Sequence, residues 1–352
     1  MESGNSLQGH FENSVLTKPF SYIYVEDSAR PDAETKKILS HFPNAVTIPI
    51  KHYKDVFTPA GQNLLLQKKI PYLILARKEG RLIYNGAPVC EDFGNEWFYY
   101  TSSVMNCCYD CEYCYLQGMY PSADIVIFTN LDDIFEELDR LLCEHPVYLC
   151  ISYDTDLLAL EGITGYVKRW IEYTAGKSDL TVECRSKSAG MGIIEGYIED
   201  GLKIPDNFIF AWTLSPERIT EKYEHNTPGL SMRLASIKKS VKHNISTRIC
   251  FDPVLFSKDW KEEYGRLFER TFSEAEPSLI KDVSIGPFRI SKDYLVKMKK
   301  RRPLSALTRF PYVNENGTCS YGSDKDAEIM EYLTERLMKY MPESKIFTPD
   351  WK

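Results

Sequence analysis

Hydrophobic residues along the chain occur in two alternating patterns: short continuous runs, and longer stretches with helical spacing. Continuous runs are typical of strands buried on both faces, and helical spacing is typical of amphipathic helices. From residue 97 onward the two patterns follow one another in turn, which favours a parallel sheet covered by helices. The predicted strands are 98–102, 124–128, 147–153, 180–184, 208–214, 247–251 and 283–288. The predicted helices are 131–144, 162–174, 192–200, 231–243, 260–273 and 293–301.

The chain before this region predicts a smaller α/β unit. Its predicted elements are strands 22–26, 45–50 and 72–77 and a helix at 32–42. Glycine and proline residues mark the stretch 85–94 as a linker. We therefore predict an α/β protein with three parts. They are a small N-terminal α/β domain (1–92), a partial (β/α)6 barrel (93–305), and a C-terminal loop or hairpin with a closing helix (306–352).

Three cysteines, Cys107, Cys111 and Cys114, form a C-x3-C-x2-C motif. Thiolates at this spacing suit an iron–sulfur cluster with one open iron. A closed structural site takes a fourth ligand, and the chain has no other C-x-x-C pair outside this loop. Cys108 is an alternative first ligand, because it gives C-x2-C-x2-C, and ordinary thiols or a disulfide remain a further interpretation. We favour Cys107, because the longer first gap resembles that of the radical S-adenosylmethionine (SAM) enzymes.

The motif follows the first predicted barrel strand, so it falls at the carboxyl edge of the sheet, where active sites of such barrels lie. Polar residues at the ends of other strands are expected at the same edge. Lys187 offers a point charge suited to a carboxylate, and Ser215 a hydroxyl that can donate or accept. Thr213 takes the place of Ser215 if the strand register differs. These three residues are the predicted cofactor-binding residues, and the alternative is that such residues only cap helices and form turns.

Composition narrows the class of protein. The chain of 352 residues is 43% hydrophobic and 26% charged, as is usual for soluble globular proteins. It has no run of about 20 apolar residues, and residues 1–12 lack an apolar signal core, so we expect no membrane span and a cytoplasmic location. Thiols stay reduced there, which favours metal or redox chemistry over disulfides. The cysteines outside the motif, expected as buried small hydrophobes, are Cys90, Cys108, Cys143, Cys150, Cys184, Cys250 and Cys319.

Several stretches of the chain resemble the spore photoproduct lyase family of radical-SAM enzymes. They are Tyr113–Gln117 (YCYLQ), Phe128–Phe135, Thr155–Thr164, Glu224–Leu234 (EHNTPGLSMRL) and Asp252-Pro253. The resemblance implies a radical-SAM barrel that holds a [4Fe–4S] cluster and SAM. It also implies a DNA repair lyase that returns the spore photoproduct, 5-thyminyl-5,6-dihydrothymine, to two thymines through a 5′-deoxyadenosyl radical. Damaged DNA as substrate, an electron donor such as flavodoxin or ferredoxin, and a monomeric state are further expectations.

The chain departs from the family pattern at the hydrogen donor. In the family a cysteine followed by T-S-D returns a hydrogen atom, assisted by two tyrosines that match Tyr113 and Tyr115. Alignment on Asp156 puts Tyr153 in place of that cysteine. We therefore predict Tyr113, Tyr115 and Tyr153 as catalytic residues, and an enzyme of the same family acting on a small molecule, nucleotide or RNA is the alternative function. Other candidate donors are Cys108 and Cys150.

Contacts with nucleic acid are predicted near the C-terminus. The net charge of −7 disfavours a protein that coats nucleic acid but allows a local basic groove. Phosphate binding needs several cations on one face, and the run 297–302 supplies them. Tyr321, in a short glycine-containing stretch, could stack on a base. The alternatives are a solvated helix face and an ordinary surface loop. The predicted contacts are Lys299, Lys300, Arg301, Arg302 and Tyr321.

Overall fold

The structure, a computed structural model, describes residues 20–87 and 90–349. The strands are β1 (Tyr22–Glu26), β2 (Val46–Ile50), β3 (Leu73–Ala76), β4 (Ile83–Asn85), β5 (Phe98–Thr101), β6 (Val104–Met105), β7 (Asp110–Cys111), β8 (Ile125–Phe128), β9 (Val147–Cys150), β10 (Leu180–Ser186), β11 (Phe208–Thr213), β12 (Glu224–His225), β13 (Thr247–Val254), β14 (Asp282–Pro287), β15 (Ile290–Ser291), β16 (Val313–Glu315), β17 (Thr318–Ser320) and β18 (Ile346–Phe347). The α-helices are α1 (Ala33–Ser40), α2 (Lys54–Phe57), α3 (Leu64–Gln67), α4 (Leu116–Met119), α5 (Leu131–Leu142), α6 (Glu161–Thr164), α7 (Tyr166–Thr174), α8 (Met191–Glu199), α9 (Glu217–Tyr223), α10 (Leu230–Lys242), α11 (Trp260–Glu274), α12 (Lys292–Arg301), α13 (Ala306–Arg309) and α14 (Ser323–Leu337).

The larger sheet has the order β18-β14-β13-β11-β10-β9-β5-β4. Strands β5, β9, β10, β11, β13 and β14 are parallel and follow one another in chain order, with β18 parallel at one edge and β4 antiparallel at the other. Every residue of β11 and of β14 is buried, because helices cover the parallel sheet. The predicted α/β fold is confirmed, and no pairing joins the two edge strands in the described residues.

A second sheet, with the order β2-β1-β3-β8-β6, crosses the predicted domain boundary. The strand predicted at 124–128 as part of the barrel is β8, which pairs instead with β3 of the N-terminal unit (Ile74↔Val126). Strand β6 then pairs antiparallel with β8 (Val104↔Ile127). The range 93–305 includes β8 because a fully apolar run predicts burial and does not specify a partner strand. As a result, the loop that carries the cysteine motif begins and ends in the N-terminal sheet.

Helix α5 shows how the spacing of apolar residues positions a helix against the core. Leu131, Ile134 and Leu138 lie on one face and are fully buried. The predicted helix 162–174 is divided into α6 and α7 at Gly165, whose φ of 66° is left-handed and ends the first helix. None of the helices in the described ranges is long and apolar enough to cross a membrane.

The C-terminal stretch forms a short β-hairpin. Strands β16 and β17 pair antiparallel, and β15 pairs with β17 on the other side. Asn316 and Gly317 connect the two hairpin strands and both have positive φ, at 49° and 87°. Such a two-residue Asn-Gly turn matches the twist of paired strands.

Candidate active site

The cysteine loop is held on both sides. Strand β7 pairs with β12, which places Cys111 opposite Glu224. Lys68, from the N-terminal unit, donates to the backbone carbonyls of Cys107 and Tyr109 at 2.5 and 2.8 Å. Sequence reasoning missed Lys68, because it lies 39 residues before Cys107 and has no motif around it.

Cys107, Cys111 and Cys114 line one cavity, and Cys108 is absent from its lining. Across the described ranges, no three His, Cys, Asp or Glu side chains are already gathered into a metal-binding geometry. Three cysteines that line one cavity nevertheless supply the number of thiolates that a cluster with one open iron takes. The cavity therefore favours Cys107 over Cys108 as the first ligand.

Electrostatic effects differ among the four cysteines of this loop. A hydrogen bond from the Cys108 thiol lowers the pKa of Cys107 and raises that of Cys108. Burial raises the pKa of Cys114 to about 11 and that of Cys111 well above its usual range, and the positive charge of Lys187 opposes both shifts. A nearby cation favours thiolates, the form that binds iron.

Glu224 is the centre of a buried network that sequence reasoning did not predict as part of the site. Its carboxylate accepts hydrogen bonds from the Tyr113 hydroxyl, from the Ser215 hydroxyl at 2.8 Å and from the Arg233 guanidinium at 2.5 Å. The Glu224 and Arg233 side chains are both 0% exposed. Burial raises the pKa of Glu224, but Arg233 and Lys187 together lower it more, so the carboxylate is ionised.

The three predicted cofactor-binding residues lie around this network. Thr213 contributes its backbone carbonyl, which accepts a hydrogen bond from Arg233 at 3.1 Å. The Ser215 hydroxyl is buried and directed to Glu224. The Lys187 ammonium lies 5.6 Å from the centre of the Tyr113 ring, and the Lys187 backbone donates to Asp156 at 2.7 Å. Lys187 therefore brings a positive charge close to Cys111 and Cys114, whereas Thr213 and Ser215 support the Glu224 network.

The predicted catalytic tyrosines form two groups. Tyr113 is tied to Glu224, as described. Tyr115 donates its hydroxyl hydrogen to the backbone carbonyl of Tyr153. The Tyr153 ring stacks on Tyr100, with ring centres 4.0 Å apart, and its hydroxyl lies 3.4 Å from the sulfur of Cys90. Sequence reasoning placed Cys90 among the buried hydrophobes, whereas the structure has it half-buried beside a catalytic candidate.

The other cysteines outside the motif divide into two sets. Cys150, Cys184, Cys250 and Cys319 are buried as predicted. Cys108 is half-buried, and Cys143 is exposed because it follows the last residue of α5.

The residues predicted to contact nucleic acid do not form one surface. Lys299 and Lys300 are exposed on α12, and Arg301 is half-buried. Arg302 instead forms an ion pair with Asp110, and Tyr321 is 7% exposed. The Arg302 guanidinium also donates to Gln117 at 2.7 Å, which anchors the end of α12 to the cysteine loop. We therefore remove Arg302 and Tyr321 from the predicted DNA contacts. The Tyr321 ring packs against Phe256, Phe310 and Tyr312.

Comparisons with known proteins bear on the fold and the family of the chain. A sequence model of the spore photoproduct lyase family matches residues 99–348. A solved variant of spore photoproduct lyase aligns with a TM-score of 0.80 at 17% identity, covering 94% of this chain and 99% of that one. Another, solved with bound AdoMet and dinucleoside spore photoproduct, has a TM-score of 0.78 at 18% identity, covering 95% of this chain and 100% of that one. No curated protein sequence matches the chain.

At this level of identity the solved structures show a common fold. The family match is independent of them and spans well over half of the chain, including the cysteine loop, the strand ends and the Glu224–Arg233 pair. The resemblance predicted from the sequence motifs is thereby confirmed, and the chain belongs to the spore photoproduct lyase family.

Proposed function

We propose that the protein is a radical-SAM DNA repair lyase that converts the spore photoproduct to two thymines. The observation that carries the proposal is the cavity lined by Cys107, Cys111 and Cys114, with the positive charge of Lys187 acting on Cys111, in a chain of this family. These thiols would hold a [4Fe–4S] cluster. When bound, the cluster and SAM supply a 5′-deoxyadenosyl radical that takes a hydrogen atom from the dimer.

The residues of the chain have the following roles in this proposal. Lys187 would bind the carboxylate of SAM, because its positive charge acts on Cys111 and Cys114 and burial strengthens a charge–charge contact. Glu224 and Arg233 fix the Tyr113 ring that faces Lys187. Tyr115 fixes Tyr153 through its backbone carbonyl. Lys299 and Lys300 contact DNA phosphates from α12. The protein is a cytoplasmic monomer that would receive electrons from a low-potential donor such as flavodoxin or ferredoxin.

An enzyme of this family that acts on another substrate is the second candidate function. Two observations favour it: Tyr153 stands where the family has its donor cysteine, and the Tyr321 ring is packed into the protein interior. Cluster and SAM have the same roles in both candidates, so only the substrate distinguishes them.

The decisive assay uses reconstituted protein under anaerobic conditions with SAM and a reductant. Dinucleoside spore photoproduct and irradiated spore-type DNA are supplied as substrates in parallel. We expect thymine formation from both, dependent on SAM and on the cluster. Cleavage of SAM without thymine formation from either substrate would favour the second candidate. Failure to cleave SAM would contradict radical chemistry altogether.

Lys187→Met is expected to weaken SAM binding by about 10- to 100-fold, the cost of one charge-assisted contact of roughly 1.5–3 kcal/mol. The iron content should stay unchanged, because Lys187 is not a ligand. Equilibrium binding of SAM to the reconstituted protein measures the effect. Lys242→Met is the matched control: Lys242 is exposed at the end of α10, just before β13 begins, and so lies at the opposite edge of the sheet. Equal SAM affinity in both variants would remove Lys187 from the site.

A further inference from the structure

The stretch 90–93, which precedes β5, brings a thiol next to Tyr153, the residue that stands in place of the family's donor cysteine. Phe93 packs on Tyr148 of β9 and Phe347 of β18, with ring centres 6.0 and 5.2 Å away. Its ring centre also lies 3.2 Å from the guanidinium carbon of Arg248 in β13. Strands β9, β13 and β18 are not neighbours in the large sheet. Because the Phe93 ring contacts all three, it lies on the inner face of that sheet. Cys90 lies three residues before Phe93, and its own neighbours are near the carboxyl ends of the strands.

Cys90 lies close to the ends of several barrel strands. Its sulfur is 3.4 Å from the Tyr153 hydroxyl, just beyond β9. Arg185 of β10, Asp252 of β13 and Arg289 beyond β14 are close enough to affect its ionisation. Burial raises the pKa of Cys90, which keeps the sulfur as a thiol, the form that can give up a hydrogen atom. The thiol thus combines the correct chemical form with a place at the carboxyl edge of the sheet.

We propose that Cys90 is the hydrogen-atom donor of this enzyme and that Tyr153 relays a hydrogen atom to it, an inference that rests on the proposed function. The other candidate donors are less well placed. Cys150 is buried within β9, three residues before Tyr153. The Cys108 thiol already donates its hydrogen to the sulfur of Cys107. Tyr115 and Tyr100 act as positioning residues, since they fix the backbone and ring of Tyr153.

The hydrogen atom is returned in two transfers, and reduction of Tyr153 then completes the cycle. The carbon radical of the substrate takes a hydrogen atom from Cys90, so a C–H bond forms, the S–H bond breaks and a thiyl radical remains. Tyr153 then gives its hydroxyl hydrogen atom to the sulfur, which restores the thiol and leaves a tyrosyl radical. One electron from the low-potential electron donor and one proton from water restore Tyr153. Because S–H and O–H hydrogens exchange with solvent, the hydrogen delivered to thymine originates from water.

The first experiment follows the isotope of the delivered hydrogen. In D2O, with dinucleoside spore photoproduct, the wild-type protein is expected to yield thymine that carries one deuterium. Cys90→Ala and Cys90→Ser should both lower the yield of thymine by roughly tenfold or more, while SAM cleavage continues. Cys90→Ser keeps a polar group next to Tyr153. A similar loss of thymine in both variants would therefore show that the S–H bond is required. Cys150→Ala and Cys108→Ala are the matched controls and should retain deuterated thymine.

A second experiment is independent of turnover. Iodoacetamide alkylation of the cluster-free protein is measured at Cys90 and at the exposed Cys143 by mass spectrometry. Dinucleoside spore photoproduct is expected to slow alkylation of Cys90 and to leave Cys143 unchanged. Equal protection at both sites, or none at Cys90, would overturn the assignment, because the substrate would not approach this thiol.

The outcomes separate the two proposals. If the wild-type protein and Cys90→Ala form deuterated thymine equally well, the donor assignment fails and the repair function stands. If the wild-type protein forms no thymine while cleaving SAM, the repair function fails, and the donor assignment fails with it. Tyr153→Phe tests the relay: it keeps the ring stacked on Tyr100, so the first turnover should proceed and later turnovers should slow.

Discussion

Arg233→Met is expected to lower the free energy of unfolding by about 3–5 kcal/mol, because it leaves the Glu224 carboxylate buried without its cation. Methionine fills much of the same volume as arginine. The decrease in the free energy of unfolding therefore reflects the missing charge and hydrogen bonds. Besides Glu224, Arg233 donates to the backbone carbonyls of Thr213 and Pro228, at 3.1 and 2.9 Å, and these acceptors lose their partner too. Urea denaturation followed by circular dichroism measures the change.

A surface ion pair provides the control for this variant. Arg266 pairs with Glu262 one turn earlier on α11, with side chains 62% and 71% exposed, so Arg266→Met should cost less than about 0.5 kcal/mol. The pH dependence gives a further check. In the wild-type protein the pKa of Glu224 is held low, so its stabilisation is present above a pH of about 4.3 and is lost as the pH falls through the lower folded-state pKa.

In Arg233→Met, burial raises the pKa of Glu224 without the opposing effect of Arg233, so the carboxyl group takes up a proton at a higher pH. The difference in unfolding free energy between the two proteins should therefore shrink as the pH falls from about 7 towards about 4. A difference that is small at neutral pH, or that grows on acidification, would show that Glu224 and Arg233 are not held as an ion pair.

Cys107→Ala is expected to abolish the bound cluster, and with it SAM cleavage, because only two of the remaining cysteines line the cavity and two thiolates do not hold a [4Fe–4S] cluster. Cys108→Ala is expected to keep the cluster, since Cys108 does not line the cavity shared by the other three thiols. Iron and labile sulfide per chain, together with the visible absorbance of the anaerobically reconstituted protein, measure both effects. Loss of iron in Cys108→Ala together with retention in Cys107→Ala would reassign the first ligand to Cys108.

Local patterns account for the parts of the fold that could be predicted. Apolar runs indicate strands because burial on both faces excludes polar residues, and six of them form the parallel part of the large sheet. The same signal could not assign β8 to a sheet, since the run Ile125–Phe128 is as apolar as any barrel strand. The break at Gly165 was missed because apolar spacing continues on both sides of it, at Ile163 and Val167.

The same difference between local and long-range features applies to the candidate site. The spacing of the cysteines and the place of Lys187 just after a strand could be read from the sequence, because each depends on local spacing and on the end of one strand. Glu224 reaches Tyr113 across 111 residues, and Cys90 reaches Tyr153 across 63. Such contacts depend on how strands pair and where a connecting segment runs, which no local pattern encodes. The aromatic character of Tyr321 likewise suggested stacking on a base, but its ring is used to fill the core.

The pairing of β6 and β8 within the N-terminal sheet limits how this enzyme could be reduced to a minimal catalytic fragment. A fragment starting at residue 93 would keep every cysteine of the motif but lose Lys68 and strand β3. Strand β8 would then expose an apolar edge, the kind of edge that recruits other chains and causes aggregation. Residues 20–87 are therefore a structural requirement of the cysteine loop, and a chimaera that exchanges barrels between family members would have to include this unit.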